Sequence, residues 1–257
     1  MLPEHIFRAY DIRGIVGKDL FPDIITKCST IFANIISEKG GKHIAISGDV
    51  RLSTPSFIHA AVSGVTSAGI DATFYYPLPI PVFNFSIWTN NIDGGAYITA
   101  SHNPPEYNGI RFRHSDGTGF AEENQEIKKR FFANEIDIKK WDLFGSVYIG
   151  SVDNVVLDYI SYAINTLPPP ERTLKIVIDG KFGAANIVSP ELFSLNNHKL
   201  LLLNSVLDGS FPGGMPDPLH GDTTLIRQIM QSTKADIGIA YDGDGDRAAF
   251  FDEKGRL

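Results

Sequence analysis

The feature that most constrains the fold is a regular alternation of helix-like and strand-like segments along the chain. Apolar side chains at helical spacing predict helices over residues 24–36, 55–68, 122–133, 152–165 and 223–231, and a further helix is expected between residues 179 and 199. Short apolar runs between them predict strands over residues 43–47, 72–76, 95–99, 110–113, 174–179, 199–203 and 236–241. Such alternation is typical of βαβ units around a mostly parallel sheet, and it predicts an α/β fold class.

The chain length fits one large α/β unit or two ordinary domains, since it has 257 residues. The periodicity lapses at residues 145–151. We therefore predict two successive α/β domains, over residues 1–147 and 148–257.

Composition and charge exclude several classes of protein. The chain is 43% hydrophobic and 21% charged, which supports a packed core rather than wholesale disorder. Its formal net charge of −7 has the wrong sign for a non-specific nucleic-acid binder, and no apolar run approaches the length of a membrane span. The single cysteine, Cys28, cannot form an internal disulfide. Together with the lack of a signal-peptide pattern, this favours the cytoplasm.

The strongest local motif is an aspartate-rich loop, Tyr-Asp-Gly-Asp-Gly-Asp-Arg, at residues 241–247. Asp242, Asp244 and Asp246 follow a predicted strand, so they lie at the edge of the sheet where α/β folds bind ligands. Their carboxylates can converge on one divalent cation, and the glycines permit a tight turn. A solvated acidic turn is the alternative.

Two other motifs share part of this spacing. An EF-hand loop needs glycine where this chain has Arg247, and the preceding segment alternates like a strand rather than a helix. A dinucleotide-binding loop would place its glycines against a pyrophosphate, which the interleaved aspartates would repel. Neither motif fits its context.

A second motif, Thr-Ala-Ser-His-Asn-Pro-Pro, lies at residues 99–105 after another predicted strand. Ser101 beside His102 suggests a nucleophile with an adjacent acid or base, and Asn-Pro also initiates ordinary turns.

A third motif covers residues 7–14, Phe-Arg-Ala-Tyr-Asp-Ile-Arg-Gly. Its arginines and Tyr10 can bind a phosphate, or form a surface basic cluster. Asp49 and Arg51 predict a structural ion pair at a strand end.

Together and in this order, the three motifs resemble the α-D-phosphohexomutase family, most closely its phosphomannomutase/phosphoglucomutase members. The segments Phe-Pro at residues 211–212 and Pro-Asp-Pro at residues 216–218 also look like a recurring family segment. The resemblance covers nearly the whole chain. It implies two successive α/β/α domains with mixed, mostly parallel sheets, the first with a phosphoserine loop and the second with a metal-binding loop.

The resemblance also implies a chemistry. Ser101, once phosphorylated, would pass its phosphoryl group to a hexose phosphate, with hexose 1,6-bisphosphate as the intermediate and activator. The implied Mg²⁺ ligands are Ser101, Asp242, Asp244 and Asp246, and the implied catalytic residues are Ser101, His102 and Arg111. The implied substrate-binding residues are Tyr10, Arg13 and Arg247. The expected partner is a phosphorylated hexose, with no nucleic acid or membrane.

The sequence departs from the family pattern at several positions. Arg111 stands where the family usually has a lysine that is a proposed general base, and an arginine hardly accepts a proton. A Gly-Arg-Asp run is here Ser-Gly-Asp at residues 47–49, and an Asn-Gly-Ala turn is here Phe-Gly-Ala at residues 182–184.

The chain is also shorter than the four-domain members of the family. We expect it to be the N-terminal half of such an enzyme, and the partner expected for it is a chain carrying the C-terminal domains. Two rival expectations are a non-catalytic module that binds metal or phosphosugar, and a Ca²⁺-binding structural domain.

Overall fold

The computed structural model describes residues 4–257 and confirms the alternation of helices and strands. The N-terminal part contains β1 (Ile12–Ile15), α1 (Pro22–Glu38), β2 (His43–Gly48), α2 (Thr54–Ser67), β3 (Asp71–Phe74), α3 (Ile80–Thr89), β4 (Gly94–Ile98), β5 (Tyr107–His114), α4 (Glu123–Ala133) and β6 (Val147–Ile149). The C-terminal part contains α5 (Val152–Thr166), β7 (Lys175–Asp179), α6 (Ser189–Leu195), β8 (Lys199–Leu203), α7 (Thr224–Thr233), β9 (Ile237–Tyr241) and β10 (Ala248–Phe251).

The strands form two mixed, mostly parallel sheets, as predicted. The first sheet has the order β1-β5-β4-β2-β3-β6, in which β5 is antiparallel to both of its neighbours. The second sheet has the order β10-β9-β7-β8, in which only β10 is antiparallel to its neighbour. Helices cover the sheets, so the fold consists of two successive α/β/α domains.

Four elements were absent from the prediction: β1, α3, β6 and β10. Helix α3 is apolar around most of its circumference, which hides the helical period, and β1, β6 and β10 have only three or four residues. The predicted domain boundary, between residues 147 and 148, falls within β6. This strand pairs with β3, so the first sheet continues to Ile149. The position of the boundary itself stays a prediction.

A shared hydrophobic core joins the two domains. Phe83 of α3 and Tyr97 of β4 lie in the same buried cluster as Val156 and Ile160 of α5. Nearby, the rings of Phe85 and Tyr159 pack edge to face with centroids 5.4 Å apart. This packing of α3 against α5 sets how the second sheet faces the first. None of the helices in residues 4–257 combines the length and hydropathy that a membrane span requires.

Candidate active site

The serine loop and the aspartate loop meet between the two sheets. The serine loop follows β4, and the aspartate loop follows β9. In the second sheet β7 lies between β8 and β9. The chain passes from β7 to β8 on one side and then crosses to β9 on the other side, so the strand order changes direction between β7 and β9. The carboxyl ends of strands at such a point form the usual ligand-binding crevice of α/β proteins. The predicted placement of the aspartate loop is confirmed.

The three aspartates of this loop gather around one point. One carboxylate oxygen each of Asp242, Asp244 and Asp246 lies within 4.8 Å of the others. Asp242 and Asp244 are fully buried, and Oδ1 of Asp244 has no hydrogen-bond partner among the described residues. Burial, followed by the charge of Asp244, raises the pKa of Asp242 above its ordinary value. Crowded carboxylates with an unsatisfied oxygen fit a hard divalent cation such as Mg²⁺.

Glycines give the aspartate loop its shape. Gly245 has φ +77°, a left-handed conformation, and its N–H donates to Oδ1 of Asp242 at 3.1 Å. At Gly243, an added Cβ would lie 2.7 Å from the carbonyl oxygen of Ser101. The close approach of the two loops therefore depends on glycine at this position.

Ser101 faces the aspartates directly. Its hydroxyl donates to Oδ2 of Asp242 at 3.0 Å, and Arg247 Nη2 donates to the serine oxygen. Ser101 is buried and has φ +54°, a conformation that costs a residue other than glycine about 1–3 kcal/mol. The surrounding structure must hold this strain, and strained residues of this kind cluster at functional sites.

The hydroxyl of Thr99 connects the serine loop to the carboxylates of Asp49 and Asp244. Its hydroxyl accepts the backbone N–H of Ser101 at 2.7 Å. The same oxygen lies 2.7 Å from Oδ2 of Asp49 and 3.1 Å from Oδ2 of Asp244. All four residues are buried, so Thr99 connects the first domain to the aspartate loop of the second.

Arg51 holds the serine loop in place through hydrogen bonds to its backbone. Its guanidinium pairs with Asp49 at 3.1 Å, which confirms the predicted ion pair, and both side chains are 0% exposed. The two terminal nitrogens also donate at 2.6–2.9 Å to four backbone carbonyl groups, three of them in this loop (Ser101, Asn103 and Pro104) and one at the start of β5 (Tyr107). Sequence reasoning missed this role, because only the folded loop brings the carbonyl groups to the arginine.

His102 and Arg247 stand at the open side of the serine. Arg247 binds Asp242 through Nε at 2.9 Å and Nη2 at 2.7 Å, and its Nη2 also contacts Nδ1 of His102. Burial and the charge of Arg247 lower the pKa of His102. A neutral imidazole at neutral pH can accept a proton.

The predicted N-terminal residues occupy two different environments. Arg13 is buried, and its Nη1 donates at 2.9 Å to the carbonyl oxygen of Ala100 and to Oδ1 of Asn103. Arg13 also pairs with Asp11, and it therefore supports the serine loop. Tyr10, by contrast, is 70% exposed.

Two models of one protein family match the sequence of this chain. The family model "Phosphoglucomutase/phosphomannomutase, alpha/beta/alpha domain I" matches residues 4–137, and the corresponding domain II model matches residues 157–255. The chain belongs to the phosphoglucomutase/phosphomannomutase family. The resemblance of the three motifs is thus confirmed at the level of the family.

Relatives in this family carry several names. A "Phosphoglucomutase/phosphomannomutase" of Thermococcus kodakarensis is 31% identical over 255 residues, which cover 98% of this chain and 56% of that protein. A "Probable phosphoglucosamine mutase" of Methanopyrus kandleri is 31% identical over 252 residues, which cover 98% of this chain and 54% of that protein. The chain thus spans about half the length of these relatives.

A solved structure shows the same fold. The crystal structure of a phosphoglucomutase/phosphomannomutase family protein from Burkholderia thailandensis is 29% identical and superposes with a TM-score of 0.91. The match covers 100% of this chain and 56% of that one.

Two departures from the family pattern lie at the site. Arg111, on β5, directs Nη1 to Oδ2 of Asp246 at 3.1 Å and to Oδ2 of Asp244 at 3.6 Å. In the 182–184 turn, the N–H of Ala184 donates to the carbonyl oxygen of Gly243 at 3.0 Å. This turn still supports the aspartate loop, although its first residue is phenylalanine.

Proposed function

We propose that this chain forms the phosphoserine- and metal-bearing half of a phosphohexomutase that interconverts hexose 1-phosphate and hexose 6-phosphate. Glucose or mannose is the proposed sugar, with hexose 1,6-bisphosphate as intermediate and activator. The observation that carries the proposal is the strained Ser101, whose hydroxyl lies 3.0 Å from an aspartate of the carboxylate cluster. A serine held in this way beside a cation site suits phosphoryl transfer, which depends mainly on positioning and on neutralising charge.

The donor set supports a requirement for a metal ion. Asp242, Asp244 and Asp246 would hold Mg²⁺ together with an oxygen of phosphorylated Ser101. When bound, Mg²⁺ would supply positive charge to the oxygens of the transferred phosphoryl group. Oδ1 of Asp244 is buried and has no hydrogen-bond partner within residues 4–257, and this free acceptor supports the assignment.

The transfer moves a phosphoryl group from the serine to the sugar. A sugar hydroxyl oxygen attacks phosphorus, the bond to Ser101 Oγ breaks, and a new phosphate ester forms on the sugar. His102 would take the proton of that hydroxyl, since its lowered pKa keeps the imidazole neutral. Arg247 already donates to Ser101 Oγ and would stabilise this oxygen as it leaves, until the oxygen takes up the proton that His102 received. The bisphosphate would return its other phosphoryl group to the serine.

The remaining polar side chains would stabilise negative charge during the transfer and bind the phosphate of the substrate. Arg111 would stabilise charge rather than accept a proton, because a guanidinium stays protonated at neutral pH. Arg247, Arg13 and Tyr10 are the proposed substrate-binding residues. Tyr10 is exposed and can reach a ligand. Arg13 is buried and would act on the substrate by supporting the serine loop.

A second candidate function is binding of metal or phosphosugar without turnover. Arg111 favours it, because this residue replaces the lysine that is proposed as general base in the family. A polypeptide carrying the C-terminal domains is a proposed partner under the catalytic assignment. Without those domains we expect no appreciable steady-state mutase activity, because remote binding groups help to lower the barrier.

A single-turnover experiment tests the proposal on the chain as it stands. The chain is mixed with glucose 1,6-bisphosphate and Mg²⁺, and the hexose monophosphate released is compared with the amount of protein. Mutase chemistry predicts release that approaches one monophosphate per chain and is abolished in Ser101→Ala. Tight binding of the bisphosphate with no release would favour the binding-only candidate. Mannose 1,6-bisphosphate in a parallel reaction compares the two sugars.

A further inference from the structure

Every aspartate of the carboxylate cluster is paired with an arginine. Arg247 belongs to the same loop as the aspartates and binds Asp242 at 2.7 Å. Arg111 comes from β5 of the other domain and contacts Asp244 and Asp246, the second of which also lies 3.4 Å from Nε of Arg247. Two guanidinium groups therefore face three carboxyl groups, and Arg111 joins the two domains.

The position of Arg111 is fixed by the first sheet. It lies on β5 opposite Tyr97 of β4, and its side chain is only 18% exposed. On its other side, Nε of Arg111 lies 3.7 Å from Oδ2 of Asp11, which also pairs with Arg13. Acidic groups thus lie on two sides of the guanidinium. The guanidinium keeps its positive charge, because arginine does not release its proton in proteins.

The arginine and a divalent cation need the same oxygens. Arg111 Nη1 approaches Oδ2 of Asp246 and Oδ2 of Asp244, and these residues supply two of the three proposed metal ligands. A positive charge this close repels a second cation strongly, because screening by water is weak at buried sites. Without any cation, however, the carboxylates would repel one another.

We propose that Arg111 is a resident counter-cation of the carboxylate cluster, which holds the aspartate loop against β5 without a metal and weakens Mg²⁺ binding. The inference rests on the metal site of the proposed function and goes beyond it, because it concerns affinity and assembly rather than turnover. It assigns opposite effects to one side chain: loss of Arg111 destabilises the metal-free protein and strengthens metal binding.

Two substitutions separate charge from shape. Arg111→Met removes the charge and keeps much of the apolar stem, so Mg²⁺ should bind about tenfold more tightly than to the unchanged protein. Arg111→Lys keeps the charge and loses the planar fork, so the Mg²⁺ dissociation constant should stay within about threefold. In EDTA, Arg111→Met should melt at a lower temperature than the unchanged protein, and Mg²⁺ should raise its melting temperature by more.

Arg172→Met is the matched control. Arg172 pairs with Asp236 at 2.9 Å, and Asp236 precedes β9 whereas the aspartate loop follows it. The control therefore removes the same charge from an arginine–aspartate pair at the opposite end of the same strand. Its Mg²⁺ affinity should match that of the unchanged protein.

The experiment is calorimetric titration of Mg²⁺ into protein whose intact mass shows no phosphate, together with thermal melts in EDTA and in Mg²⁺. Tighter binding in Arg111→Met alone, with a lower melting temperature in EDTA, supports the proposal. Unchanged or weaker Mg²⁺ binding in Arg111→Met overturns this proposal, whereas the assignment of the metal site stands. If neither the unchanged protein nor Arg111→Met binds Mg²⁺, both this proposal and the metal assignment fail.

Discussion

The hydroxyl of Ser101 lies 3.0 Å from Oδ2 of Asp242, although 141 positions separate the two residues in the chain. One residue follows a strand of the first sheet and the other follows a strand of the second. The contact exists because α3 and α5 pack into one buried cluster and turn the two sheet edges toward each other. Ser101 and the carboxylate cluster thus form one site only when both domains are folded.

The first prediction concerns the metal ligands. Asp244→Asn should weaken Mg²⁺ binding about tenfold or more, because the amide removes one negative charge from the cluster and replaces one carboxylate oxygen with a nitrogen that cannot bind a cation. Calorimetric titration measures the change. Asp158→Asn, an exposed carboxylate on α5, is the control and should bind Mg²⁺ like the unchanged protein. Equal affinities for all three proteins would refute the assignment of Asp244.

The second prediction concerns the clamp beneath the serine loop. Arg51→Met leaves Asp49 buried without its partner and frees the four backbone carbonyl groups that Arg51 binds. The free energy of unfolding should fall by about 3–5 kcal/mol, measured by urea denaturation. Arg256→Met breaks an exposed arginine–aspartate pair and should move the urea midpoint far less. Similar midpoints for the two variants would show that Arg51 does not hold the loop.

The third prediction concerns proton transfer. His102 should titrate below its ordinary pKa of 6.5, because burial and the neighbouring Arg247 disfavour the imidazolium. As pH falls below 6.5, the unfolded chain takes up this proton first, so the contribution of His102 to the free energy of unfolding declines. NMR titration of the imidazole, assigned with His102→Gln, measures the midpoint. Arg247→Gln should raise it, and a midpoint at or above 6.5 in the unchanged protein would contradict the account.

Much of the site was predictable because its loops follow strands. Ser101 comes after one apolar run and Asp242 after another, so each loop lies at the carboxyl edge of its own sheet, where α/β folds bind ligands. The aspartate spacing then suggested a cation, and the structure brings these carboxylates within 4.8 Å. Local pattern and strand direction were sufficient for this part of the fold.

The remaining features depend on tertiary contacts that carry no local signal. Helix α3 packs between the domains and is apolar on most sides, so its residues show no periodicity. Arg51 looks like half of a short-range ion pair in the sequence, whereas the serine loop wraps around it. Likewise, the spacing of the motifs could not show that Arg111 reaches two aspartates of the other domain.

Mapping of phosphate on the chain tests the central claim most directly. The protein is incubated with glucose 1,6-bisphosphate in Mg²⁺ or in EDTA, and phosphorylated residues are then located by peptide mass spectrometry, with Ser101→Ala in parallel. The account predicts one phosphoryl group, on Ser101, which forms in Mg²⁺ and fails to form in EDTA or in the variant. A chain that remains unphosphorylated, or that is labelled equally well in Ser101→Ala, would contradict the role of Ser101.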